Sequence, residues 1–241
     1  MEESRESSMN VPNAAHEPVV FLLDVDNTLL DNDRVIEDLQ DHLTHEVGAS
    51  CAQRYWAIFE ELRGVLGYAD YLGALQRYRM DDPRDQRALA VSSFLLDYSF
   101  AQRLYPGALE TVAHLARWGP TVIVTDGDVV FQPYKVKRSG LFEAVDGRVL
   151  VYVHKEQQMR DIETRYPASH YVIVDDKMRL LTAFKRAWGD RVTTVFPRQG
   201  HYARDAEETA AYPPPDLTIE RIDDLLTREP PPGVRPHDEL A

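Results

Sequence analysis

Five short apolar runs constrain this chain more than any other feature. Residues 19–24, 121–125, 149–153, 171–175 and 192–196 are β-branched or aromatic, and continuous rather than alternating. That is the pattern of parallel strands covered on both faces. Helical patterns separate the later runs. Met159, Ile162 and Tyr166 share one helical face, as do Leu180, Leu181, Phe184 and Trp188, closed by Gly189. Strand alternating with helix predicts an α/β fold, a Rossmann-like doubly wound parallel sheet. One interval departs from this rhythm. Between Leu30 and Tyr105 nothing reads as a strand, and the chain reads as several helices with breaks near residues 48–50, 64–67 and 81–83. Roughly seventy helical residues exceed a normal crossover, so this stretch reads as an inserted helical cap. The expected division is a disordered leader over 1–17, an α/β core over 18–31 and 101–228, a helical cap over 32–100 and a disordered tail over 229–241.

Composition narrows the function. A net charge of −13 disfavours a general binder of nucleic acid or of an anionic membrane. No apolar run approaches the length of about 18 residues that a membrane span needs, and the polar N-terminal stretch does not read as a signal peptide. A single cysteine, Cys51, rules out an internal disulfide framework and fits a reducing, cytoplasmic setting. A small anionic substrate stays open, because a bound metal can invert the local field. Oligomeric state is not legible.

Chemistry-bearing residues fall where the strands end. The first run closes on Asp24 and Asp26, whose period-two spacing on a strand would point both carboxylates the same way. Thr125 closes the second within "VIVTDGD", Lys155 follows the third, and Asp175 and Asp176 close the fourth. Ligands of open α/β sheets bind at that edge. Four converging carboxylates repel one another and an anionic substrate. A hard cation such as Mg²⁺ relieves this, using one or two carboxylates and substrate phosphate oxygens. Lys155 adds positive charge and Thr125 a hydroxyl donor. A carboxylate nucleophile, a cation, a lysine and a hydroxyl together describe phosphoryl transfer through an aspartyl-phosphate.

With these residues in view, the sequence resembles the haloacid dehalogenase superfamily, specifically its phosphatase-like members. "DVDNT" matches the first motif, Thr125 the second, Lys155 the third and the "DD" at 175–176 the fourth. The stretch "TDGDVVFQPYKVKRSGLFEAVD" looks like the second-motif helix, with Gln132 and Lys135 in the usual places. The resemblance covers about residues 18–200 and implies strand order 5-4-1-2-3 with a helical cap of the first type. It further implies that Asp24 is the nucleophile and that Asp26 is the acid and then the base. Thr125 and backbone amides near Asn27, Thr28 and Asp126 would hold phosphoryl oxygens, and Lys155 would offset charge. Mg²⁺ would sit on Asp24, the Asp26 carbonyl, Asp175 and Asp176, with the direct ligand of the last pair left open. Asn27 replaces the more common glycine, and Lys155 lacks a following proline, so Lys135 and Lys137 stand as alternatives for the motif lysine.

The expected function is Mg²⁺-dependent hydrolysis of a small phosphorylated substrate. Alternatives are a phosphomutase of the same superfamily or a non-catalytic module that binds phospho-ligands. A true dehalogenase needs no second aspartate. A phosphonate hydrolase needs a cap lysine, and residues 31–105 contain none. Arg54, Arg63, Arg77 and Arg79 in the cap, and Arg198 and His201 after the fifth run, read as surface residues rather than substrate contacts.

Overall fold

A computed structural model describes residues 16–81 and 83–229. Most of the expected leader and tail, 1–15 and 230–241, lies outside the described residues. Six parallel strands form one sheet in the order β3-β2-β1-β4-β5-β6. They are β1 (Glu17–Leu23), β2 (Thr121–Asp126), β3 (Val149–Tyr152), β4 (Ala168–Val174), β5 (Val192–Pro197) and β6 (Leu217–Ile219). The five strands anticipated from sequence take the expected order, and β6 extends the sheet beyond β5. The strand ends shift by one to three residues from the expected runs, and the shifts at β1 bear on the site. β1 starts at Glu17, inside the stretch read as leader, and stops at Leu23, one residue before the first aspartate. β1 is central, paired with β2 through Phe21–Leu23 and with β4 from Glu17 to Leu23.

Alternation along β1 divides the core. Val19, Phe21 and Leu23 join a cluster on one face of the sheet, and Val20 and Leu22 join the cluster on the other. Both faces are apolar, which is why these strands read as unbroken hydrophobic runs. Between β1 and β2 lie α1 (Asn32–His42), α2 (Ala49–Leu66), α3 (Tyr71–Asp81), α4 (Ala88–Asp97) and α5 (Ala108–Leu115). Gly48 precedes α2 and Gly67 ends it in the left-handed conformation, at two of the anticipated breaks. Tyr55, Phe59, Tyr71 and Tyr78 are buried between α2 and α3 and join the same cluster as Phe21 and Leu23. Further helices are α6 (Phe131–Ser139), α7 (Leu141–Ala144), α8 (Met159–Arg165), α9 (Met178–Trp188), α10 (Gly200–Arg204) and α11 (Ala206–Ala210). In α9 the anticipated face of Leu180, Leu181, Phe184 and Trp188 is buried. No helix among the described residues is long and apolar enough to cross a membrane.

His170 on β4 is hydrogen-bonded to Thr193 Oγ1 at 2.9 Å. Burial, and then the positive charge of Lys185, hold its imidazole below the ordinary histidine value. The unfolded chain therefore takes up a proton at a higher pH than the folded chain does. Above about pH 6.5 both states are neutral at this residue and it adds no pH dependence. Below that, stability is expected to fall with pH until the folded imidazole also protonates. Urea midpoints measured from pH 8 to pH 5 should show this decline, and His170→Gln should flatten it. An identical slope in the variant would assign the decline elsewhere.

Candidate active site

The first question is how two aspartates two residues apart coexist. Because β1 stops at Leu23, period-two alternation does not carry on to Asp26, and the two side chains part. Asp24 is buried, and Lys155 Nζ donates to its Oδ1 at 2.6 Å. Asp26 instead turns toward α6, where Lys135 Nζ donates to Oδ1 at 2.8 Å and to Oδ2 at 2.9 Å. Each carboxylate thus has its own buried lysine. The expectation that both point the same way is corrected: the strand ends too early for it. Lys135, an alternative for the lysine beside Asp24, serves Asp26 and Asn32 Oδ1.

Lys155 joins three strand ends. Its Nζ also donates to Val124 O at 3.1 Å and lies 2.6 Å from Asp175 Oδ2, a close ionic contact without hydrogen-bond alignment. Its backbone N–H donates to Asp126 Oδ1 at 2.8 Å. Against the effect of burial, Asp175, Asp24 and Asp126 together hold the ammonium above its ordinary value. Burial pushes Asp24 up to about 6, opposed by Lys155 and reinforced by Asp175. Asp126 is also raised, by burial foremost.

Asp24, Asp175 and Asp176 bring carboxylate oxygens within 4.8 Å of one another, all buried. Both oxygens of Asp176 lack a hydrogen-bond donor among the described residues. Burial, against the pull of Lys177, holds this carboxyl well above the ordinary range, and Asp175 and Asp24 add to the rise. A buried carboxylate with no donor beside two others is a poor structural device and a good fit to a hard divalent cation. The Asp26 side chain is not part of this trio.

The turn after β1 is locked from within. Asn27 has φ 61° and stands against Gly200, where a Cβ would come within 2.4 Å of Asn27 Cβ. Its Oδ1 accepts from the N–H groups of Asn32 and Asp33 at the start of α1. Thr28 Oγ1 accepts from Asp176 N at 3.1 Å and so ties the β1 turn to the β4 turn. The Asn27 amide donates to Leu30 O and the Thr28 amide to Val25 O. The expectation that these two amides face a phosphoryl group is therefore corrected, since both are engaged inside the turn. Thr125 Oγ1 accepts from Gln132 Nε2 at 2.8 Å, which leaves the hydroxyl proton free to be given elsewhere.

A cavity of about 290 Å³ opens onto this edge, lined on its floor by Asp26, Asp126, Gln132, Lys135 and Asp176. Its upper wall comes from Phe59, Arg63, Tyr68 and Tyr71, between β1 and β2 in sequence. His201 and Tyr202 on α10 complete it. His201 Nδ1 lies 2.6 Å from Asp33 Oδ1, and Arg63 Nη2 donates to Tyr202 OH at 2.6 Å. Gly67 packs against His154, where a Cβ would meet Cε1 at 2.7 Å. Arg63, His201 and Tyr202 therefore face the cavity, whereas Arg77 pairs with Glu61 and Arg198 with Glu220. Lys177 is a further lining residue that motif reading passes over, being one position beyond the aspartate pair.

Comparisons with known proteins follow the same outline. Residues 19–187 match the profile of the haloacid dehalogenase-like hydrolases. A solved structure from Burkholderia xenovorans LB400, provisionally named a haloacid dehalogenase-like hydrolase, is 60% identical, with a TM-score of 0.85, covering 89% of this chain and 100% of that one. A hydrolase from Bacillus subtilis, provisionally assigned to the same family and solved bound to magnesium, is 16% identical with a TM-score of 0.58, covering 88% and 100%. The L-2-haloacid dehalogenase of Xanthobacter autotrophicus is 17% identical with a TM-score of 0.58, covering 87% and 97%. The last two likenesses concern the fold alone. A comparison with curated proteins finds no match.

Proposed function

The chain belongs to the haloacid dehalogenase-like hydrolases, and from that membership we propose that it hydrolyses a small phosphate monoester through an aspartyl-phosphate on Asp24. The observation that carries this reading is the separation of the two aspartates. Asp24 is buried on Lys155, while Asp26 lines the cavity with a quarter of its side chain exposed. A nucleophile needs a fixed oxygen, and an acid and base needs access to the leaving group and to water. Haloacid hydrolysis has no use for the second group.

The steps follow from these positions. Asp24 attacks phosphorus through one carboxylate oxygen, and the bond to the ester oxygen breaks. Asp26 gives its proton to the departing alkoxide. Water then attacks the aspartyl-phosphate, Asp26 takes its proton, and the acyl-phosphate bond breaks to release phosphate and restore Asp24. Lys155 holds the nucleophile in place and balances its charge, and Thr125 donates its free hydroxyl proton to a phosphoryl oxygen. Asn27 and Thr28 support this arrangement from within the turn, and Asp126 positions Lys155. Mg²⁺ would be held by Asp24, Asp175, Asp176 and the Asp26 carbonyl, and when bound it supplies charge neutralisation for the phosphoryl oxygens. Residues 32–100, in this reading, form the cap that selects the substrate over the core of 18–31 and 101–228.

The test is phosphate release from a panel of small phosphate monoesters, with halide release from 2-chloropropionate as the contrasting arm. Release is expected with Mg²⁺ and not with chelator. Mg²⁺ alone should also stabilise the protein, by about 2.7 kcal/mol at a hundred times its Kd, and Asp176→Ala should lose that gain. Halide release without phosphate release would sink the proposal.

A further inference from the structure

Four cationic side chains line the cavity: Arg63, Lys135, Lys177 and Arg179. Two are matched by close carboxylates, Lys135 by Asp26 at 2.8 Å and Arg179 by Glu156 at 2.7 Å. The other two are not. Among the described residues, Arg63 has only Glu60 at 3.6 Å, on a glutamate whose side chain is 61% exposed and therefore well screened. Lys177 has no carboxylate oxygen within 4.0 Å among the described residues. Both converge on one side chain. Arg63 Nη2 donates to the Tyr202 hydroxyl at 2.6 Å, and the Lys177 ammonium lies 5.3 Å from the centre of the Tyr202 ring. Glu208 shares this wall and stands at ion-pair distance from neither cation.

Arg63 comes from α2 and lines the wall opposite the floor that Asp26, Asp126 and Asp176 form. An anion seated beside the Tyr202 ring would meet the Arg63 guanidinium on one side and the Lys177 ammonium on the other, and Lys177 is otherwise drawn only by the more distant carboxylates of Asp176, Asp24 and Asp175. We propose that Arg63 and Lys177, bracketing Tyr202, hold a second anionic group of the substrate, so that the preferred ester carries a carboxylate beside its phosphoryl group. This deepens the phosphatase reading and rests on it. The cavity, at the small end of the range for ligand sites, suits a substrate of a few carbons. Arginine supplies the planar fork that a carboxylate accepts, and lysine adds a point charge.

Binding separates this inference from turnover. With Mg²⁺ present, calorimetry compares phosphonoacetate with ethylphosphonate, neither of which has an ester to hydrolyse. Phosphonoacetate should bind about tenfold to a hundredfold more tightly, the scale of one or two charge-assisted hydrogen bonds. The ratio should fall toward one in Arg63→Met and in Lys177→Met, and Arg63→Lys should keep part of it. Thermal midpoints of the variants confirm that they fold. Equal affinities in the wild type, no binding of either compound, or a ratio untouched by both methionine variants would overturn the clamp. Hydrolysis of 3-phosphoglycerate against glycerol 3-phosphate forms the second arm. Equal kcat/KM for the two also overturns it. No release from either, with the binding preference intact, rejects the hydrolytic reading and supports the clamp.

Discussion

Asp24→Asn is expected to remove phosphate release from every ester the wild type accepts, by at least about 10⁴-fold in kcat/KM, the scale seen when a nucleophile is deleted. Asparagine keeps the shape of the side chain but offers no carboxylate oxygen to attack phosphorus. The fold should survive, because Lys155 retains Asp175 at 2.6 Å and Val124 O at 3.1 Å. Without metal the variant should be at least as stable as the wild type, since one of three crowded buried carboxylates becomes neutral. Discontinuous phosphate assays with and without Mg²⁺, alongside thermal midpoints, check both halves. Retention of more than about a hundredth of the activity would remove Asp24 from the nucleophile's role.

Lys155→Met is expected to damage stability as well as turnover. The substitution keeps most of the buried volume and deletes a cation that touches Asp24 and Asp175 at 2.6 Å each. Removing one partner of a buried ion pair typically costs about 3–5 kcal/mol, because the other is left charged or must protonate. Here two carboxylates lose their partner at once, and Asp126 keeps only its bond from the residue 155 amide, which any side chain preserves. Denaturant unfolding without metal should show the loss, and Mg²⁺ should restore part of it by meeting the same carboxylates. A variant as stable as the wild type would mean that these aspartates are neutral in the folded protein. Lys135→Met makes an informative contrast, since its loss leaves Asp26, which reaches the cavity and some water.

These two lysines also show what the sequence could and could not disclose. Their presence after strands and on a helix was legible, and so were the five buried runs, because continuous apolar stretches leave few alternatives to a sheet covered on both faces. β6 was not legible: three residues, Leu217–Ile219, carry too little pattern, and they follow a proline run that reads as a connector. The divergence of Asp24 and Asp26 was hidden because it depends on where the strand stops, a boundary set by the turn bonds of Val25, Asn27 and Leu30 rather than by composition. The Asn27 backbone amide read as a phosphoryl contact, yet it donates to Leu30 O, and the side-chain oxygen accepts from the start of α1. Arg63 and Tyr202 are 139 positions apart, so no local pattern announces that they meet. Lys177 belongs to none of the motifs, and its place in the cavity wall beside the Tyr202 ring of α10 comes from packing between distant segments.

The central place of β1 bears on how such a chain can change over generations. Its register is fixed by β4 along its whole length and by β2 at its end. A single deleted codon there would invert which side chains face which layer and swing Asp24 off Lys155. The very next segment, after Leu30, runs outside the sheet until β2, so lengthening or shortening it disturbs no strand pairing. Reading-frame-preserving insertions and losses should therefore accumulate a few residues from the chemistry while being purged within it, leaving lineages that differ in what they admit and agree in what they do.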